Sequence, residues 1–211
     1  MKIALLGAES TGKTQLSLAL RAHLSTAGFQ VYLVSEYLRE WCDINKRTPR
    51  EDEQVHIAQT QMARVMSAPA GAVVIADTTP IMTAVYSQII FNDASLDAMA
   101  LAHQACYDVN LLTGLDIEWV SDGMQRDGPH VREPVDQRIR QMLGQAGLSY
   151  QVVYGQQEDR LKNALFSLAR QVPQWASQLE RPEPPVKWSG PCETCGDAGC
   201  EHRLFTALLN A

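Results

Sequence analysis

Gly7-Ala8-Glu9-Ser10-Thr11-Gly12-Lys13-Thr14 places two glycines with four residues between them and follows the second with an ammonium and a hydroxyl. Glycines at those points let the backbone approach an anion closely, so that successive amides face a phosphate. The positive end of a following helix adds to the attraction. In such a loop Lys13 reaches the β- and γ-phosphates of a nucleotide and the Thr14 hydroxyl holds Mg²⁺, which makes ATP and Mg²⁺ the expected ligands. The flanks suit this chemistry. An apolar run, Ile3-Ala4-Leu5-Leu6, precedes the loop, and Leu16, Leu18, Ala19, Leu20 and Leu24 follow it at helical spacing.

Other candidates occur further along. Asp77 closes the apolar run Ala72-Val73-Val74-Ile75-Ala76. At the carboxyl end of a parallel strand it would face the phosphate site as a magnesium partner, or it would cap the helix beginning near Pro80. Glu36 follows the run 31–34 and is either a carboxylate that accepts a proton from an acceptor hydroxyl or an exposed acid in the first turn of a helix. The stretch from Trp119 to Gly128, with Arg126 inside it and Arg132 beyond, reads as a glycine-punctuated arginine segment. It would close over ATP, guanidinium groups gripping phosphate oxygens at two points, or remain a solvated loop.

These residues need a scaffold. Short apolar runs at 3–6, 31–34, 72–76, 109–112 and 152–153 alternate with helical patterns at 13–27, 50–66, 80–91, 95–106 and 157–171. Alternation of this kind implies a doubly wound parallel sheet with helices on both faces, an α/β domain of the P-loop NTPase class. The 211 residues, 45% hydrophobic and 20% charged, are enough to close one such core. A net charge of −6 excludes a general electrostatic pull toward nucleic acid or anionic lipid, so phosphate must be held by a local device. No apolar run reaches the length of a membrane span, and five cysteines, three of them bunched at one end, suit a reducing cytoplasm better than a disulfide framework.

Arg181-Pro182-Glu183-Pro184-Pro185 cannot continue a helix, which divides the chain into a domain at 1–180 and a small Cys-rich tail at 181–211. Within the tail, Cys192, Cys195, Cys200 and His202 supply four potential ligands for a structural Zn²⁺, or else a flexible stretch of reduced thiols. With Lys187 and Arg203 the only fixed positive charges near them, an RNA-binding knuckle is disfavoured.

The phosphate loop, Glu36-Tyr37-Leu38-Arg39-Glu40, Ile75-Ala76-Asp77-Thr78-Thr79, Trp119-Val120-Ser121-Asp122-Gly123-Met124-Gln125-Arg126 and Gly155-x4-Arg160-Leu161 occur in that order. In these blocks the chain resembles the bacterial nicotinamide riboside kinases, the kinase half of a bifunctional regulator of NAD biosynthesis, from residue 1 to about 170. The resemblance implies transfer of the ATP γ-phosphate to the 5′-hydroxyl of nicotinamide riboside, giving nicotinamide mononucleotide. By it Lys13 and Thr14 would hold ATP and Mg²⁺, Glu36 and Asp77 would lie near acceptor or metal, and Arg126 with Arg132 would close the site. It likewise places Tyr37, Arg39, Trp119 and Asp122 toward the substrate. The family pattern carries a second acid two places after the strand-end aspartate, where this chain has Thr79. No adenylyltransferase signature occurs in the 211 residues, so the expected product is the mononucleotide rather than NAD. A switch ATPase with a partner-binding tail and a kinase for another nucleoside share the same loop and are the rival expectations.

Overall fold

The computed structural model describes residues 1–121 and 128–179. Five parallel strands form one sheet in the order β2-β3-β1-β4-β5: β1 (Lys2–Leu6), β2 (Val31–Val34), β3 (Val73–Asp77), β4 (Val109–Thr113) and β5 (Gln151–Val153). Register is set by pairs such as Leu5 with Asp77, Leu6 with Leu112 and Val34 with Ala76. The loops after β1, β2, β3 and β4 therefore leave the sheet at one edge.

Seven α-helices connect the strands among the described residues: α1 (Lys13–Thr26), α2 (Tyr37–Asn45), α3 (Glu51–Met66), α4 (Pro80–Phe91), α5 (Asp97–Gln104), α6 (Arg132–Gln145) and α7 (Gln157–Gln171). Strand side chains alternate between the sheet faces, and each face of β1 has its own helical cover. Ile3 and Leu5 are buried with Leu16, Leu20 and Leu24 of α1 and Leu165 and Leu168 of α7. Leu6, on the opposite face, is buried with Ile81 and Val85 of α4 and Ile139 and Leu143 of α6. After α7 the chain folds back so that Trp175 stacks on Phe29, ring centroids 4.6 Å apart, and Leu179 is fully buried. Residues 180–211, with Cys192, Cys195, Cys200 and His202, lie outside the described residues.

The strands and most helices fall where the apolar periodicity puts them. Helices α2 and α6 are the exceptions; in α6 a proline at 134 and a glycine at 144 obscure the pattern. Its apolar residues Val135, Ile139, Met142 and Leu143 are nevertheless buried and recur at helical spacing. Arg132 is the first residue of that helix and is buried, so it belongs to packed structure rather than to a solvated arginine loop. No described helix is long and apolar enough to cross a membrane.

Candidate active site

The loop after β1 adopts the conformation its glycines permit. Gly7 (φ 145°) and Gly12 (φ 76°) lie in backbone regions that side chains avoid, and Ser10 shares the left-handed region at φ 54°. Gly7 has a second reason to be glycine: a Cβ there would stand 2.1 Å from Thr113 Oγ1. Thr113, at the end of β4, also places that hydroxyl 2.7 Å from the Thr11 hydroxyl and so props the loop from beneath. Helix α1 starts at Lys13 with no side-chain cap and no acid in its first turn, which leaves its positive end facing the loop. The Lys13 ammonium folds back over the loop and donates to Gly7 O at 2.9 Å and Ala8 O at 2.8 Å.

Behind the loop lies a support that residue spacing alone does not disclose. The Arg160 guanidinium, only 3% exposed, donates to the Thr11 carbonyl, to Gly155 O at 2.6 Å and to Asp116 Oδ1 at 2.5 Å. The other Asp116 oxygen accepts Gly155 N at 2.6 Å. An almost wholly buried arginine, each nitrogen donating to a different acceptor, thereby locks the strand-to-helix turns after β4 and β5 onto the phosphate loop. Arg132 lies close enough to oppose the Arg160 charge. It donates through Nη2 to Leu115 O at 3.3 Å, while its buried Nε has no hydrogen-bond partner.

The two candidate carboxylates meet at the same edge. Asp77 is the last residue of β3 and is buried, and the cap position of α4 is taken by Thr79, with Pro80 opening the helix. Asp77 therefore does not cap that helix. Burial pushes its pKa up, against the lowering effect of a hydrogen bond from Thr14 and the charges of Lys13 and Arg39. Its Oδ1 has no hydrogen-bond partner. Glu36 stands at the cap position of α2, yet its carboxylate makes no capping bond and instead pairs with Arg39 at 3.3 Å. Burial raises its pKa, Lys13 and Arg39 oppose that, and the neighbouring Asp77 charge adds to it.

Lys13, Glu36 and Arg39 line a pocket of roughly 530 Å³, together with Glu9 and Ser10 of the loop. Its far wall is apolar and aromatic, made by Leu38, Met82, Tyr86 and Ile90. Thr78 lines it too, but Thr79 turns away, buried, and donates to Gln104 Oε1 at 2.6 Å. Tyr37 also faces elsewhere: its ring meets His56 edge-on at 6.0 Å and carries the Arg64 guanidinium at 4.5 Å, in the seam between α2 and α3. Trp119 donates its indole N–H to Glu9 Oε1 at 2.7 Å, and Gly128 N donates to the same oxygen at 3.0 Å. Trp119 thus rests on the phosphate loop rather than on the apolar wall. Asp122 and Arg126 lie outside the described residues. Among the described residues no group of three or more His, Cys, Asp or Glu is placed to hold a metal ion by itself.

The pocket's rim, Thr48 to Arg50, is secured by charge. Arg47 pairs with Glu53 through two contacts of 2.7 and 2.6 Å, lies over Trp41 at 4.8 Å, and Glu53 also accepts Arg50 N at 2.8 Å. The Arg47 pairing, followed by the Arg50 amide bond, holds the Glu53 carboxyl at about 2 instead of 4.5. With the folded pKa depressed, this contribution to stability is present above 4.5 and is lost as pH falls through about 2. Thermal melts of Glu53→Gln should therefore decline less between those pH values than melts of the parent.

Solved structures with the same fold bind nucleotides. A NadR protein in complex with NAD and AMP-PNP superimposes with a TM-score of 0.65 at 19% identity, over 82% of this chain and 49% of that one. A NadR protein in complex with NR gives 0.63 at 19% identity, over 80% and 50%. The chain thus spans about half the length of these NadR chains. Deoxyadenosine kinase from M. mycoides with bound dCTP gives 0.53 at 13% identity, over 81% of this chain and 100% of that one. No curated protein sequence matches. The sequence model of a family described as an AAA domain does match, over residues 2–160, a stretch that contains the phosphate loop, Glu36, Asp77 and Arg160. The protein belongs to that AAA-domain family.

Proposed function

We propose that the protein is an ATP-dependent phosphotransferase of the nucleoside-kinase kind, with nicotinamide riboside as acceptor and nicotinamide mononucleotide as product. The observation that carries this reading is one pocket with the Lys13 ammonium and the Glu36 carboxylate at its head, the Thr14–Asp77 pair beside them and an aromatic, apolar wall opposite. A hydrolase that passes phosphate to water has no need of such a wall, whereas a ribosylated ring does. The NadR complexes with NR and with NAD and AMP-PNP support the choice of acceptor.

In this reading the loop amides and Lys13 hold the phosphates of ATP in line with the acceptor hydroxyl. The buried, unpartnered Oδ1 of Asp77 beside the Thr14 hydroxyl fits Mg²⁺, and these two residues would hold it. When bound, the ion neutralises charge on the phosphate oxygens. Glu36 takes the proton of the 5′-hydroxyl as the oxygen forms its bond to the γ-phosphorus and the bond to ADP breaks. Its raised pKa makes it a better base than an exposed glutamate. Arg39 keeps the carboxylate aimed.

The test is ADP release measured with nicotinamide riboside, uridine and thymidine in parallel. Nicotinamide riboside should accelerate it most, and Glu36→Gln should lower kcat by roughly 10²–10⁴-fold with little change in KM for ATP. Acceptor-independent hydrolysis unaffected by any nucleoside would sink the proposal and favour a switch ATPase.

A further inference from the structure

Glu36 and Asp77 come from different strands and owe their juxtaposition to whatever joins the loops after β2 and β3. One side chain spans that gap. Gln61, on α3 and only 3% exposed, accepts Tyr37 N through Oε1 at 2.8 Å and donates through Nε2 to Thr78 O at 3.3 Å. Each contact falls one residue after a candidate carboxylate.

Both contacts solve a local problem. Tyr37 N is the first amide of α2, one of the donors that a helix leaves without an internal partner. Short side chains such as serine and aspartate cap helices through the second and third amides, and a glutamate at the cap position leaves the first amide to find another acceptor. Here Gln61 meets the Tyr37 amide from outside the helix, and the Glu36 carboxylate makes no capping bond. At the other end Thr78 sits at φ 77°, a conformation that a β-branched residue adopts only when its surroundings enforce it. The amide of Gln61 grips the Thr78 carbonyl and so fixes the turn that aims Asp77 at Thr14.

We propose that Gln61 is a positioning residue: by binding the backbone one residue past each carboxylate it fixes the turns that carry them and holds Glu36 in register with Asp77. This rests on the phosphotransferase reading above, and the two are separable by experiment. Gln61→Leu should fold, lower kcat by roughly ten- to a hundredfold through misplacement of the carboxylate, and leave KM for ATP within about twofold. Gln61→Glu keeps the oxygen that accepts Tyr37 N but loses the donor to Thr78, so it should recover part of the loss. It also serves as the variant to measure if the leucine protein does not fold.

A double-mutant cycle decides the matter. Where Glu36 is already glutamine, Gln61→Leu should cost almost nothing further, because the group it positions is gone. Equal losses in the two backgrounds would overturn the inference while leaving the phosphotransferase reading intact, as would an unchanged kcat in Gln61→Leu. A Glu36→Gln protein with full turnover, or a parent with none, would remove both.

Discussion

Lys13→Ala should cut phosphoryl transfer by at least about a thousandfold while the protein still folds. The size follows from what the ammonium does in each state. In the structure it donates to Gly7 O and Ala8 O and holds the loop in shape. With ATP bound it would donate to phosphate oxygens, whose charge grows as the γ-phosphoryl group departs. A donor aimed at developing charge in a water-poor site contributes roughly a hundred- to a thousandfold by itself, and Lys13 also helps to keep the Glu36 carboxyl ionised. The structural cost is smaller, about 1 kcal/mol per lost hydrogen bond, which would lower Tm by only a few degrees in a protein of this size. Single-turnover transfer and a thermal melt on one preparation test both halves. Transfer within tenfold of the parent would show that the ammonium does not meet the transferring phosphate. Lys13→Arg should rescue poorly, since a planar fork cannot occupy the place of a compact ammonium in a loop this tight.

Asp77→Asn should make the ligand-free protein more stable and nearly inactive. Burial raises the Asp77 pKa despite the Thr14 hydrogen bond and the Lys13 and Arg39 charges, and one oxygen has no partner. A raised folded pKa means that the proton-linked stabilisation is complete below 3.8 and is lost as pH rises through the folded value. At neutral pH the parent has lost it, and the amide, which never ionises, has not. The expected gain is on the order of 1 kcal/mol, or roughly 2–4 °C in Tm, and it should vanish in melts taken at a pH below that of an ordinary aspartate. Saturating MgATP should reverse the ranking, because ligand that binds only the folded parent adds stability by mass action. Turnover should fall by roughly 10²–10³-fold, since the carboxylate that would hold the ion is gone. A destabilised, fully active Asp77→Asn protein would assign the residue to the core instead.

Both variants probe features that the sequence itself makes legible. The loop from Gly7 to Thr14 can be read from sequence because its function resides in the backbone: glycine positions, an adjacent apolar strand and an amphipathic helix are all local. Asp77 is legible for a related reason, since a carboxylate that ends a continuous apolar run must emerge at the carboxyl edge of a parallel sheet. Glu36 was half legible. Its place after β2 is local, but the turn that aims it is held by Gln61, which is 25 residues away in the sequence. Tyr37 shows the converse. It neighbours Glu36 in the chain, yet the helical turn directs it into the α2–α3 seam toward His56 and Arg64. Thr79 occupies the place of a family acid, and its buried bond to Gln104 removes it from the pocket altogether.

Composition and periodicity alone determined an α/β sheet with a phosphate loop at one edge, because strand and helix periods and glycine torsions are properties of short segments. Tertiary structure decided which side chains share the space above that edge. Arg160 reaches the Thr11 carbonyl, Thr113 fills the space that a Cβ at Gly7 would need, and Gln61 joins two loops, each across a long sequence separation. Such contacts follow from strand order and helix packing, which place distant residues within hydrogen-bonding reach and leave no trace in local pattern.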